Sequence, residues 1–115
     1  GIDGIVISNH GGRQLDGTLS SIAALPAVRD AVAGRMTILL DGGVRSGLDV
    51  LRALATGADA VLLGRAWAWA LAAEGQAGVT RMLSIIREEL EVAMALSGQS
   101  DVRTLDADLA IASSL

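Results

Sequence analysis

The sequence predicts an α/β fold in which parallel strands alternate with helices, and three observations carry that reading. Short, largely apolar runs recur along the chain at Gly4-Ile5-Val6-Ile7, Thr37-Ile38-Leu39-Leu40 and Ala60-Val61-Leu62-Leu63, with helical stretches between them. Each run empties into a polar or Gly-rich loop. The 51% hydrophobic content comes from Ala, Leu, Val and Ile, with two Trp and no Phe or Tyr, and small aliphatic side chains suit strands covered on both faces by helices. Alternation of this kind means right-handed βαβ units and a parallel sheet.

Gly4 to Ile7 has the pattern of a strand buried on both faces. A Gly-rich loop follows, extended by Asp16-Gly17-Thr18, and Ser20 and Ser21 are suited to capping a short turn. Pro26 suits the first position of a helix, where its missing N–H has no partner to lose. That helix continues from Ala27 to Ala33 and ends at Gly34. Thr37 to Leu40 is the second buried strand, opening into Asp41-Gly42-Gly43-Val44-Arg45-Ser46-Gly47. Ser46 is the expected N-cap of the next helix, with Asp49 in the first turn where the helix dipole favours negative charge. Leu48, Leu51, Leu54 and Ala55 keep the helical spacing as far as Gly57.

Ala60 to Leu63 is the third strand, running into Gly64-Arg65. Ala66 to Ala73 reads as a short extra helix, with Trp67 and Trp69 expected to pack. After Gly75 a longer amphipathic helix carries Val79, Met82, Leu83, Ile86, Leu90, Ala93 and Met94 on one face. Arg87 and Glu91 lie one turn apart on another face, and Gly98 is the expected stop. The tail from Asp101 to Leu115 is weakly helical at best.

Composition excludes several classes. The formal charge of −4, without a basic block, argues against a nucleic-acid partner. Without cysteine there is no disulfide framework, thiolate zinc site or thiol nucleophile, and no metal site is expected. No apolar stretch is long and uncharged enough to span a bilayer. The chain opens on Gly1, almost inside a strand, and no linker divides it. The expectation is therefore a piece of a larger protein, with residues 1–115 in one domain.

The loops carry the chemistry. In a (β/α)8 barrel the active site sits at the C-terminal ends of the strands, and phosphate is often held by the loops after strands seven and eight and the start of a short extra helix. Asp41 to Gly47, Gly64-Arg65 and the helix from Ala66 reproduce that layout, so the expected architecture is the C-terminal three βα units of such a barrel. Gly42, Gly43 and Gly47 with Arg45, joined by Gly64 and Arg65, offer amides and guanidiniums to a phosphate dianion. Neither a Gly-x-Gly-x-x-Gly fingerprint nor a Walker loop is present. Asp41 either caps its own loop or accepts from a sugar-like hydroxyl of the ligand.

The first loop, Ser8-Asn9-His10-Gly11-Gly12-Arg13-Gln14-Leu15-Asp16, holds the only histidine. An imidazole can move a proton near neutral pH, and a guanidinium offers a planar fork to a carboxylate. Taken alone, a histidine such as His10 is more often structural, and Arg13 reads as a solvated charge or a partner of Asp16; Arg13 and the loop's place at the same sheet end as the phosphate site weaken the structural reading of His10. Asp16 is the local candidate to orient His10.

Together, Ser-Asn-His-Gly-Gly-Arg-Gln-Leu-Asp, Asp-Gly-Gly-Val-Arg-Ser-Gly and Gly-Ala-Asp-Ala-Val-Leu-Leu-Gly-Arg resemble the FMN-dependent 2-hydroxy acid dehydrogenases and oxidases. The segments Leu15 to Ser21 and Ala70 to Val79 are most similar to the respiratory bacterial L-lactate dehydrogenase branch, whereas Asp41-Gly42-Gly43 is closer to the glycolate oxidase form. The resemblance implies His10 as catalytic base and Arg13 as the clamp on the substrate carboxylate. It also implies Ser8 as a flavin contact, with Asp41, Gly42, Gly43, Val44, Arg45, Gly64 and Arg65 on the ribityl-phosphate arm of FMN. The implied reaction takes an L-2-hydroxy acid, L-lactate first among them, to its 2-oxo acid, with a quinone, a cytochrome or oxygen as final electron acceptor.

The implied intact protein is a homo-oligomeric eight-fold barrel, cytoplasmic or peripheral on the inner membrane. Its upstream part would supply a flavin-contacting lysine, substrate-contacting tyrosines and the aspartate that orients the histidine, and this chain has neither Lys nor Tyr. Glycolate oxidase-like and mandelate dehydrogenase-like members are the near alternatives. An inosine-monophosphate dehydrogenase relative is the more distant one, and it calls for a cysteine loop. A third reading makes the chain alone a phosphate-binding or structural module, inactive by itself.

Overall fold

The computed structural model describes residues 1–110; the last five residues of the predicted tail lie outside the described residues. Three strands, β1 (Gly4–Ile7), β2 (Thr37–Leu40) and β3 (Ala60–Val61), form one parallel sheet in the order β1-β2-β3. Three helices follow them in turn: α1 (Ser21–Val32), α2 (Gly47–Thr56) and α3 (Arg65–Leu96). The register pairs Ile5 with Ile38 and Ile7 with Leu40, and Leu40 with Val61. In a parallel pair such partners share a face, and this face meets Leu25, Val28 and Val32 of α1 and Val50, Ala53 and Leu54 of α2 in the core. Both helices thus lie on one side of a sheet whose strands keep chain order.

The opposite face departs from the expectation of strands buried on both sides. Val6 is 47% exposed and Leu62, in line with Ala60, is 43% exposed. Nothing among the described residues covers that face. The third strand is also shorter than its apolar run, ending at Val61, although Leu62 still donates its amide to Leu40 O at 2.8 Å.

The first helix begins five residues before Pro26. Ser20 is its N-cap, accepting from Ala23 N at 3.3 Å, and Pro26 sits inside it. A proline there forfeits one intrahelical bond, but Leu25, fully buried, and Ser21, 3% exposed, anchor the preceding turn. The helix ends at Ala33 in the left-handed region, one residue before Gly34, and the Arg35 guanidinium covers the carbonyls of Val32 and Ala31.

The boundaries of α2 match the sequence: Ser46 and Asp49 form a reciprocal capping box, and Gly57, at φ 117°, closes the C-terminus. The two helices expected around Gly75 run as the single segment α3, interrupted where Glu74 and Gly75 leave helical geometry. Past this elbow the second limb turns back. A Cβ on Gly78 would collide with the carbonyl of Ala70, so the limbs touch directly, and Arg81 pairs with Glu74 at 3.1 Å across the bend. Ile86 and Leu90 pack against the core, the predicted Arg87–Glu91 pair closes at 2.8 Å, and Leu83 points outward, 51% exposed. The chain then stops at Gly98 (φ 72°), and a 3-10 turn at Ala107–Ala110 lies against α2. Among the described residues no helix is long and apolar enough to cross a membrane, and no cluster of His, Cys, Asp and Glu is arranged to hold a metal ion.

Candidate active site

The loops after all three strands meet at one end of the sheet. The first leaves β1 and turns immediately through a 3-10 turn at His10–Gly12. His10 (φ 54°), Gly11 (φ 66°) and Gly12 (φ 72°) all occupy the left-handed region. Glycine does so freely, but a histidine does so at a cost, and such backbone strain concentrates at functional sites. The Ser8 hydroxyl accepts from His10 N at 3.1 Å and Gly12 N donates to Asn9 O at 3.0 Å, which holds the turn. Asp16 does not reach His10; its carboxylate accepts from the neighbouring Gly17 N at 2.9 Å.

The second loop is built for close approach. Gly42 (φ 95°) and Gly43 (φ 87°) adopt angles open to glycine, and a Cβ on Gly42 would press on Ser21 Oγ and Asn9 Oδ1. Val44, 7% exposed, drives the loop into the core and leaves Arg45 exposed beside it. The third loop is Gly64, from which α3 starts at Arg65.

A single cleft of about 240 Å³ gathers His10 and Arg13 from the first loop, Asp41 to Arg45 from the second, and Gly64 and Arg65 from the third. Gly11, Leu62, Leu63 and Ala66 complete its lining. Of the sequence-predicted site residues, Ser8, Asp16 and Gly47 lie outside the lining; the Ser8 hydroxyl supports the backbone of His10. Arg13, Arg45 and Arg65 face one carboxylate, Asp41, so the cleft concentrates positive charge on an acidic chain. None of the three guanidiniums forms an ion pair among the described residues.

The donors and acceptors left open suit a polyhydroxylated phosphate ester. The amides of Gly43, Val44, Gly64 and Arg65 donate to no acceptor among the described residues. Asp41 Oδ1 is buried without a hydrogen-bond partner, an expensive state for a carboxylate oxygen unless a ligand hydroxyl donates to it. Trp67 and Trp69, expected to pack, are 45% and 75% exposed; Trp69 borders a second cleft with Arg45, Arg65 and Ala66.

Comparison with known proteins decides the family. The model of the FMN-dependent dehydrogenase family matches residues 1–112. The chain belongs to the FMN-dependent dehydrogenase family. Within it, the L-lactate dehydrogenase of Caulobacter vibrioides is 64% identical over 106 residues, covering 92% of this chain and 28% of the relative. The L-lactate dehydrogenase of Xanthomonas oryzae pv. oryzae is 63% identical over 108 residues, 94% of this chain and 28% of that protein. Among solved structures, a mandelate oxidase variant with a monooxide FMN adduct superposes with a TM-score of 0.86 at 54% identity, over 89% of this chain and 32% of that one. Another, with benzoyl-formic acid, reaches 0.87 at 52% identity, over 92% and 33%. The chain thus spans about a third or less of each relative. Membership of the FMN-dependent dehydrogenase family sets aside the inosine-monophosphate dehydrogenase alternative.

Sequence reasoning missed three residues around the cleft. Asn9 and Ser21 crowd Gly42, a contact that no local pattern signals. Glu89 accepts from Gly47 N at 2.8 Å; 42 residues separate the two, and no local pattern links them.

Proposed function

We propose that this chain is the C-terminal three βα units of a (β/α)8-barrel enzyme that binds FMN and oxidises an L-2-hydroxy acid, L-lactate first, to the 2-oxo acid. The observation that carries the reading is the meeting of His10 and Arg13 with Arg45, Arg65 and Asp41 in one cleft. Chain-order strands with both helices on one face suit a barrel segment rather than a doubly wound sheet. The resemblance to L-lactate dehydrogenases at 63–64% identity supports lactate over mandelate and glycolate.

In this reading Arg45 and Arg65, with the open amides of Gly43, Val44, Gly64 and Arg65, hold the FMN phosphate. Asp41 Oδ1 accepts from a ribityl hydroxyl. Bound FMN supplies the two-electron acceptor. Arg13 fixes the substrate carboxylate and so orients the hydroxyl-bearing carbon, a positioning effect of the kind that makes such steps fast. The substrate gives up two hydrogens and two electrons: the imidazole of His10 takes one hydrogen as a proton, and the other leaves with the electron pair for FMN. Ser8, through His10 N, keeps the imidazole on the cleft side of the turn, and its own hydrogen remains free to donate to the flavin. A quinone, a cytochrome or oxygen would be the final electron acceptor.

The test is anaerobic mixing of the intact protein with L-lactate, glycolate and S-mandelate while flavin absorbance is followed. Bleaching is expected, fastest with L-lactate. Absence of bleaching with all of them rejects the reading.

A further inference from the structure

The amides of Arg45, Ser46 and Gly47 are three successive donors at the start of α2, where an anion would ordinarily bind. In this protein they are already taken. Asp49 Oδ2 accepts from Arg45 N at 3.0 Å and Ser46 N at 3.1 Å, and Glu89 Oε2 accepts from Gly47 N at 2.8 Å. Asp49 belongs to α2 itself, but Glu89 comes from the second limb of α3. That limb lies directly on the loop: Gly47 is buried, and a Cβ there would collide with the backbone of Ile86, Glu89 and Leu90.

Two consequences follow. The amides of Arg45, Ser46 and Gly47 are closed to the ligand phosphate, and those of Gly43, Val44, Gly64 and Arg65 stand open beside the guanidiniums in the cleft. The loop carrying Arg45 is also clamped to the helix whose first residue is Arg65. The carboxylates act on backbone only and form no ion pair with Arg45 among the described residues, so its guanidinium stays available to the cleft.

We infer that Glu89 is a positioning residue for the phosphate grip: by holding Gly47 N it fixes Arg45 relative to Arg65, and so sets how strongly the protein prefers FMN to riboflavin. The inference rests on the phosphate reading proposed above. Riboflavin has the same ring and ribityl chain without the phosphate, so a loosened grip weakens FMN and spares riboflavin, whereas general damage to the fold weakens both.

The test uses intact apoprotein titrated with FMN and with riboflavin by flavin fluorescence. Losing a hydrogen bond to a charged acceptor is expected to lower the FMN-to-riboflavin affinity ratio about tenfold in Glu89→Ala. Glu89→Asp, one methylene short, is expected to move the same way, and it carries the test if Glu89→Ala does not fold. Glu89→Gln, whose carboxamide oxygen still accepts from Gly47 N, is expected to stay within about twofold of the parent. An unchanged ratio in Glu89→Ala or Glu89→Asp, or equal weakening of both flavins, overturns the inference. Arg45→Ala separates the two levels: if it also leaves the ratio unchanged, the phosphate reading itself has failed, and the role of Glu89 falls with it.

Discussion

As the proposed base, His10 has an aim and a support. Its left-handed backbone (φ 54°) turns the side chain out of the strand's direction into the cleft, and Ser8 Oγ braces the amide. Asn shares the tolerance of His for the left-handed region, so His10→Asn isolates the proposed proton-transfer function. In the intact protein, kcat is expected to fall roughly a hundred- to ten-thousandfold, with FMN content by absorbance unchanged. Another residue-scale expectation concerns Asp101. Hydrogen bonds from the Arg103 guanidinium and amide hold its carboxyl at about 2, below the ordinary 3.8. A carboxyl depressed in the folded state adds to stability above its unfolded value and loses that contribution as the pH falls toward the folded one. NMR titration of the side-chain carboxyl should show the low midpoint, and Arg103→Ala should return it toward the ordinary value.

The elements show which parts of the fold can be read from local chemistry. Ser46, Asp49 and Gly57 name both ends of α2, because a cap is a short-range hydrogen bond written within four residues. Ser46→Ala removes the hydroxyl that accepts from Asp49 N at 3.1 Å, and is expected to cost about 1 kcal/mol, read as a lower Tm in the intact protein. By contrast, α1 is misread if Pro26 is taken as its start. The local rule for proline is outweighed by the burial of Leu25 and Ser21 one turn earlier and by the Ser20 cap, features that acquire meaning only when β1 and β2 supply the wall they pack on. The same holds at the cleft. His10, Arg13, Arg45 and Arg65 are legible from residue type and from their place after strands, whereas Glu89 and the crowding of Gly42 by Ser21 arise from tertiary contact alone.

Across the whole molecule, one sheet face is open. Val6 and Leu62 stand on it, Trp67 and Trp69 are exposed near the cleft, and β1 and β3 each have an unpaired edge among the described strands. Alternating apolar runs predict parallel strands, but they do not say whether the second face is covered within the same chain. Unpaired edges and uncovered apolar surface favour association. The 115-residue chain alone is therefore expected to run as oligomers or aggregates in size-exclusion chromatography, with weak FMN retention and no turnover; a monodisperse monomer that keeps its yellow colour would contradict this. The elbow at Glu74–Gly75 has a consequence of phase. Beyond it, Gly78 seated on Ala70 and Glu89 on Gly47 are joined by uninterrupted helix, so their angular relation is set by a count of residues. One residue inserted between Gly78 and Ile86 would rotate Glu89 about 100° away from Gly47, whereas seven inserted residues would complete nearly two full turns and restore its bearing at a displaced height. The proposed phosphate grip is thus exposed to single-residue length changes in a limb of α3 that lies outside the cleft lining.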